Sequence, residues 1–126
     1  MHPLNADIAA RARENDAFRR EVVTGEHSQV VLMTIPPGGE IGEEVHPDND
    51  QTLVFVSGEG EAMLAGETSR VGVGGLAFVP AGTRHNFRNT GAEPLRLYTI
   101  YAPPHHAPGT VHQTKADAEA AEAAEA

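Results

Sequence analysis

Short apolar runs alternate with turn-forming sequences along most of the chain. Several runs alternate polar and apolar residues with the period of two that is typical of strands, and together they cover residues 22–23, 29–35, 52–56, 62–64, 76–79 and 95–101. Glycine, proline, asparagine and aspartate separate them, as in PPGG at 36–39, PDND at 47–50 and PAG at 80–82. These residue types favour turns because of their backbone preferences and short polar side chains. Many short strands at this spacing predict an all-β sandwich or barrel.

The two ends of the chain lack this pattern. Residues 5–16 are rich in alanine and arginine, and either Asn5 or Asp7 can cap a short helix there. Residues 114–126 read TKADAEAAEAAEA, which predicts either an exposed helix capped by Thr114 or a disordered tail with little to bury. We therefore divide the chain into an N-terminal helical segment (1–17), a β-barrel domain (18–113) and an acidic tail rich in alanine and glutamate (114–126).

Length and charge exclude several classes of protein. The 126 residues suffice for one domain, and the formal net charge is −9. An acidic chain without a basic patch does not attract phosphates, so we expect neither a nucleic-acid partner nor a membrane partner. No apolar run reaches the roughly 18 residues of a membrane-spanning helix, and the N-terminus lacks a signal-peptide pattern, which predicts a cytoplasmic protein. The absence of cysteine excludes disulfides and thiolate metal sites.

Metal-capable side chains occur in two segments bounded by turns. Glu44 and His46 point to one face of a strand because they are two residues apart. Gln51 begins the strand after the turn at 47–50, and His85 follows the turn at 80–82. If both hairpins line one barrel, these four side chains converge. Two neutral imidazoles with oxygen donors suit Fe, Mn, Ni, Co or Zn and leave positions open for water or substrate; the alternative is a hydrogen-bonded polar network without a metal.

The segment around His85 resembles the second motif of the cupin family. That motif is a glycine, five residues, Pro-x-Gly, two residues, histidine, three residues and asparagine. Every position is matched in this chain, at Gly74, Pro80, Gly82, His85 and Asn89. The resemblance implies a cupin jelly-roll β-barrel with a divalent transition metal at the bottom of an open pocket. It also implies a dimer, so we expect a homodimer.

The segment around His46 is similar to the first cupin motif in spacing but differs in two ligands. The family has His-x-His, three or four residues, and glutamate between two glycines. Here Glu44 replaces the first histidine and Gln51 replaces the glutamate, between Gly38 and Gly58. The two exchanges keep the ligand charge at −1, so a divalent cation still suits the site, with the Gln51 amide as a weaker donor. His46 and His85 match the family without change.

Further pocket residues follow from strand parity. Phe87 shares the parity of His85 and forms either a pocket wall or ordinary core. His27, Gln29 and Met33 share one face of the early strand and contact a ligand if that face points inward. We interpret the histidine-containing stretch at 103–112, PPHHAPGTVH, as an exposed tail, with folding over the pocket mouth as the alternative. No lysine or arginine is predicted on the inward face.

Three functions are compatible with these residues. The first is a metal-dependent enzyme of the oxygenase, isomerase or lyase type, acting on a small organic substrate in the barrel, with Glu44 as either ligand or general base. The second is a sugar or sugar-phosphate isomerase with little or no metal requirement; a phosphate would need cationic or amide donors, which the predicted inward face does not offer as side chains. The third is a non-catalytic small-molecule binder. The barrel alone does not separate these functions.

Overall fold

The computed structural model describes residues 3–125 and consists mainly of antiparallel strands. Two short helices flank them. The elements in chain order are α1 (Ile8–Glu14), β1 (Arg19–Thr24), β2 (Gln29–Ile35), β3 (Asp50–Ser57), β4 (Glu59–Leu64), β5 (Glu67–Gly72), β6 (Leu76–Val79), β7 (His85–Asn89), β8 (Leu95–Ala102), β9 (Val111–His112) and α2 (Lys115–Glu125).

The strands form two sheets with the core between them. One sheet has the order β6-β3-β8-β2-β1-β9, and the other has the order β5-β4-β7. Buried apolar residues from both sheets make one cluster, to which Leu53 and Phe55 contribute from β3 and Ala62 and Phe87 from β4 and β7. In β3 and β8 the residues alternate between buried and partly exposed, as the period of two requires. The predicted all-β jelly roll is confirmed.

The register of the large sheet separates an apolar middle from a polar end. Gln29 on β2 and Gln51 on β3 both pair with Tyr101 on β8, and all three are buried. Further along the same strands, Met33 pairs with Leu97 inside the apolar cluster and is 0% exposed. Met33 is therefore a core residue, and the prediction that it contacts a ligand is wrong. Strand parity gives the face of the sheet on which a side chain lies, but it does not give the depth of that side chain along the barrel.

The two flanking helices pack against the barrel. Asp7 caps α1 by accepting from the Ala10 N–H at 3.0 Å, and Ala12 packs against the outer face of the large sheet. The acidic tail is a helix rather than a disordered segment, because Ala118 is buried in the barrel core and Thr114 Oγ1 accepts from the Asp117 N–H at 3.0 Å. Neither helix within residues 3–125 has the length and apolar character to cross a membrane.

Most of the stretch at 103–112 is exposed, as its composition suggested, but hydrogen bonds hold it against the barrel. Asn49 Nδ2 donates to the Pro103 carbonyl at 2.6 Å. The side-chain oxygen of Gln29 accepts from the N–H groups of His105 and His106 at 3.1 and 2.9 Å, and its amide nitrogen donates to the His106 carbonyl at 2.6 Å. β9 then pairs with β1. Composition does not reveal these contacts. The hydrogen bonds between side chains and backbone, with the pairing of β9, bring the stretch back over the polar end of the barrel.

Candidate metal centre

Backbone pairing places Glu44 directly opposite His85. The Glu44 N–H donates to the His85 carbonyl at 2.9 Å, and the His85 N–H donates to the Glu44 carbonyl at 3.0 Å. The Gly82 N–H donates to the His46 carbonyl at 2.8 Å, which fixes the turn before β7 against the first segment. Gly82 has φ +83, a conformation in the left-handed region that glycine adopts without strain. The turn residues of the second segment therefore hold the first segment in place.

Three side chains offer ligand atoms to one small volume. The donor atoms of Glu44, His46 and His85 all lie within 4.8 Å of one another. His85 is 1% exposed, and its Nδ1 is 2.9 Å from the Thr83 carbonyl, so Nδ1–H is the donor and Nε2 carries the available lone pair. This second hydrogen bond orients the imidazole as it does in many metal sites. The predicted convergence of these three residues is present.

The His46 ring nitrogen lacks a hydrogen-bond partner among the described residues. Its Nε2 is 2.8 Å from Oε2 of Glu44, but the approach does not have the direction of a hydrogen bond, and the nitrogen is buried. Leaving a buried polar atom without a partner costs about 1–3 kcal/mol. A divalent cation held by both side chains would give this nitrogen its partner. The donor set, one carboxylate and two imidazoles, therefore fits the metal that the family implies.

Gln51 contributes an amide oxygen to the same end of the barrel. Its Nε2 donates to the hydroxyls of Thr99 and Tyr101 at 3.1 and 3.3 Å. The Thr99 hydroxyl hydrogen is directed at the Thr52 carbonyl, 2.9 Å away, so Thr99 must accept from Gln51, and this fixes the orientation of the amide. Oε1 of Gln51 is then buried without a partner in the described part of the chain. A neutral oxygen donor is therefore available on this side chain.

The electrostatics of the site favour the ligand forms of its side chains. Burial alone would raise the pKa of Glu44, but His46, then the charges of Arg19 and His85, outweigh burial and hold this pKa below its ordinary value. Burial lowers the pKa of His85 despite the hydrogen bond to Thr83. A carboxylate and a neutral imidazole are the forms that coordinate metals. Both are the favoured forms near neutral pH.

A layer of aromatic rings covers the His46 side of the site. The His46 ring lies 5.1 Å from that of His85 and 4.4 Å from that of His105, measured between centroids. Tyr101 stacks on His105 at 5.4 Å and meets His106 edge-on at 5.2 Å. His105 is the exposed member of the layer. The two histidines at 105 and 106 thus belong to the surroundings of the site, which their place in a proline-rich stretch did not indicate.

Arg19 is a cation on the inward face, where none was predicted. It is 3% exposed and lines a cavity of about 160 Å³ together with Glu44. Ala17, Phe18 and Arg19 are buried in succession. When consecutive residues are all buried, the alternation of inward and outward side chains cannot be read from the sequence. The pattern therefore did not predict that the Arg19 side chain points inward.

The remaining predicted pocket residues fall into three environments. The His27 side chain is 88% exposed in the turn between β1 and β2 and contacts Glu26, so the prediction that it lines the pocket is wrong. Strand parity suggested an inward side chain, but β2 begins only at Gln29. Gln29 is buried and holds the backbone of the 105–106 stretch. Phe87 is 0% exposed, and its ring lies 6.1 Å from that of His85 and 5.9 Å from that of Phe55, so it is a core residue behind the site.

We expect His106 to make the fold sensitive to acid. Burial, followed by the charges of Arg19 and nearby histidines, lowers the pKa of His106 to about 3. An unfolded histidine binds a proton near pH 6.5, so the unfolded state holds more protons between that pH and the folded value. Stability contributed by neutral His106 is therefore present above about pH 6.5 and is lost as the pH falls toward 3.

Denaturant unfolding at stepped pH measures this effect. The variant His106→Asn should lose less stability than the wild type between about pH 6.5 and 4, whereas His27→Asn, at an exposed position, should follow the wild type. If the free energy of unfolding falls with pH by the same amount in the wild type and in His106→Asn, the expectation is contradicted.

Comparison with known proteins agrees with the fold. The sequence profile of the cupin domain family matches residues 31–101. The uncharacterized protein YrkC of Bacillus subtilis is 44% identical over 126 residues, which cover 95% of this chain and 68% of that protein. The uncharacterized protein L612 of Acanthamoeba polyphaga mimivirus is 39% identical and covers 83% of this chain and 68% of its own length. The crystal structure of BH2720 from Bacillus halodurans superposes with a TM-score of 0.93 at 45% identity, over 94% of this chain and 95% of that chain. The chain belongs to the cupin family.

Proposed function

We propose that this cupin is a metal-dependent enzyme whose divalent transition metal is held by Glu44, His46 and His85. The observation that carries the proposal is the convergence of these three donors, with a buried His46 Nε2 that lies 2.8 Å from Oε2 of Glu44 without the geometry of a hydrogen bond. Two histidines and one carboxylate with open positions are the ligand set typical of non-haem Fe(II), and Mn, Ni, Co and Zn accept the same donors. The metal would act as a Lewis acid on a small organic substrate or, if it is iron, would activate O₂.

The residues around the centre have separable roles in this proposal. Glu44 serves as a ligand, which leaves it unavailable as a general base. Burial raises the pKa of Tyr101, so its hydroxyl stays protonated beside Gln51. Phe87 closes the apolar side behind His85 and excludes water from it. His105 is exposed and its ring lies 4.4 Å from that of His46, so it forms the solvent-facing edge of the site.

A direct experiment compares the protein with and without metal on a panel of small substrates. Protein loaded in turn with Fe(II), Mn(II) and Zn(II), and chelator-treated protein, are incubated with small carboxylic acids, ketones and enols while product and dissolved oxygen are followed. Turnover that requires the metal and is lost in Glu44→Ala supports the proposal. Equal turnover after chelation would contradict it.

A second candidate is a sugar or sugar-phosphate isomerase with little metal requirement. Arg19 favours it, because the guanidinium supplies the inward cation that a phosphate needs. The cavity beside Glu44 opposes it, because about 160 Å³ is small for a sugar phosphate beside the roughly 300–1,000 Å³ of ordinary ligand pockets. Sugar-phosphate turnover by chelated protein would favour this candidate. Tight ligand binding without turnover would favour a non-catalytic binder.

Homodimer formation and a cytoplasmic location remain predictions.

Gln51 should strengthen metal binding without being essential to it. We expect Gln51→Ala to weaken the affinity by roughly tenfold, because a weak neutral donor and its hydrogen bonds to Thr99 and Tyr101 are lost. Gln113→Ala removes the same side chain at an exposed position and is the matched control. Calorimetric titration with Zn²⁺ measures both. Unchanged affinity in Gln51→Ala would remove Gln51 from the site.

A further inference from the structure

Arg19 is a buried guanidinium at the inner surface of the barrel. In the ladder it pairs with the core residue Met33 on one side and with His112 on the other, so its side chain shares their inward face. It is 3% exposed. A charge in such a place is tolerated only when it is paired and hydrogen-bonded.

The protein leaves the guanidinium incompletely paired. Its Nη1 is 3.3 Å from Nδ1 of His112 and 3.5 Å from Oε1 of Glu122. Its Nε is buried and has no hydrogen-bond partner within residues 3–125. The ring of Phe18 lies 5.4 Å from the guanidinium carbon. Arginine offers donors in a planar fork that matches a carboxylate, and here that fork is only partly used.

A cavity lies between this guanidinium and the metal ligand Glu44. Its volume is about 160 Å³, and α2 closes it with Lys115, Glu119 and Glu122. Below the usual size of pockets for drug-sized ligands, it suits a molecule of a few heavy atoms. Because Arg19 and Glu44 both line it, one molecule in the cavity can contact Arg19 and the Glu44 member of the three-residue centre.

The ion pairs around the cavity show which carboxylate opposes Arg19. Glu119 is 3.8 Å from Lys115 on the same helix, and Glu43 is 3.3 Å from Arg84 outside the cavity. Glu122 is the carboxylate near Arg19, at 3.5 Å, and its side chain is 55% exposed. A contact of this length to an exposed helical side chain is easily exchanged. Glu122 can therefore yield its place to another carboxylate.

We propose that Arg19 binds the carboxylate of a small organic acid in the cavity next to Glu44, and that Glu122 of α2 occupies this anion position until the acid displaces it. The proposal rests on the proposed function in that it names the substrate class of the same site. Arg19 would bind the acid through its guanidinium N–H groups. The far end of the acid would face the side chain of Glu44.

Calorimetric titration with malonate, and with uncharged malonamide as its control, tests the proposal. Full-length protein is used in two forms, loaded with Zn²⁺ and treated with chelator, and the metal content of every sample is measured. We expect malonate but not malonamide to bind the wild type.

Arg19→Gln should lose at least about tenfold in malonate affinity, because a hydrogen-bonded charge is removed. The malonate affinity of Arg19→Lys should lie between those of the wild type and Arg19→Gln, because lysine keeps the positive charge but lacks the planar pair of N–H donors. Arg70→Gln, at a 90% exposed position, is the control and should match the wild type.

Glu122→Gln gives the opposite expectation and does not depend on the stability of an arginine variant. Removing the competing carboxylate should tighten malonate binding by roughly two- to fivefold. Equal malonate affinity in wild type and Arg19→Gln overturns the proposal. If Arg19→Gln does not fold, unchanged or weaker binding by Glu122→Gln overturns it instead.

The metal measurement separates this proposal from the metal centre. Suppose that metal-loaded protein binds malonate with the same affinity after Arg19 or Glu122 is replaced. That result would contradict the substrate assignment and leave the metal centre intact. Arg19-dependent malonate binding by protein that never takes up metal would support the anion site and contradict the metal-dependent function.

Discussion

Replacing His46 or His85 with alanine is expected to abolish stoichiometric metal binding. In the proposed centre each residue would contribute one of two imidazole ligands, and the carboxylate of Glu44 with one imidazole would not hold a divalent transition metal firmly. We expect the affinity to fall by more than about 100-fold, beyond the effect of losing an outer-shell partner. Calorimetric titration with Zn²⁺, with metal analysis of the dialysed protein, measures the change.

The matched control is another histidine variant. His27→Ala removes an imidazole that is 88% exposed and should bind metal like the wild type. Circular dichroism of each variant distinguishes a lost ligand from a lost fold. Equal metal content in the wild type and in both His46→Ala and His85→Ala would contradict the assignment of the centre.

Replacing Phe87 with alanine is expected to destabilise the fold by about 3–5 kcal/mol, the usual cost of removing a buried phenylalanine. Phe87 is 0% exposed and packs between the rings of His85 and Phe55. Because the ring also supports His85, we expect folded Phe87→Ala to bind metal more weakly. Denaturant unfolding gives the free energy, and titration under native conditions gives the affinity.

Phe78 provides the comparison, since it is 51% exposed on β6. Phe78→Ala should lose much less stability and no metal affinity. Similar losses from both variants would show that Phe87 has no special place in the core. Unchanged metal affinity in folded Phe87→Ala would show that His85 is oriented without it.

The fold and the paired ligands were predictable because they depend on local rules. The turn at 80–82 and the spacing to His85 predicted a strand that enters the barrel, and backbone pairing with the segment of Glu44 is what such turns produce. Side-chain parity put Gln29 on the same face as Met33, and the structure shows that both side chains are buried. These features need only a period of two and known turn chemistry.

The rest of the site depends on long-range contacts that a sequence pattern does not encode. Arg19 is inward because β1 pairs with β2 and β9, while its neighbours Ala17 and Phe18 are also buried. The stretch with His105 and His106 is held by the side chain of Gln29, 76 and 77 positions earlier. Parity alone put His27 inside, but the chain is still turning at that residue.

The departures from the usual cupin ligands define what is particular to this site. Glu44 supplies a carboxylate where the family has a histidine, and Gln51 supplies an amide where the family has a carboxylate. The total ligand charge is unchanged, but the negative charge moves from β3 to the segment opposite His85. Glu44 and Arg19 then line one cavity, which couples the metal ligand to the anion site that we propose.

The identity of the metal and of its coordinating atoms tests the central claim most directly. Metal analysis of the purified protein, followed by a crystal structure with anomalous data at the absorption edge of that metal, provides both. We predict one divalent transition metal per chain, coordinated by a carboxylate oxygen of Glu44 and by Nε2 of both His46 and His85. Protein that carries no stoichiometric metal, and that takes up none after chelation and reloading, would contradict the account and leave these residues as a polar network.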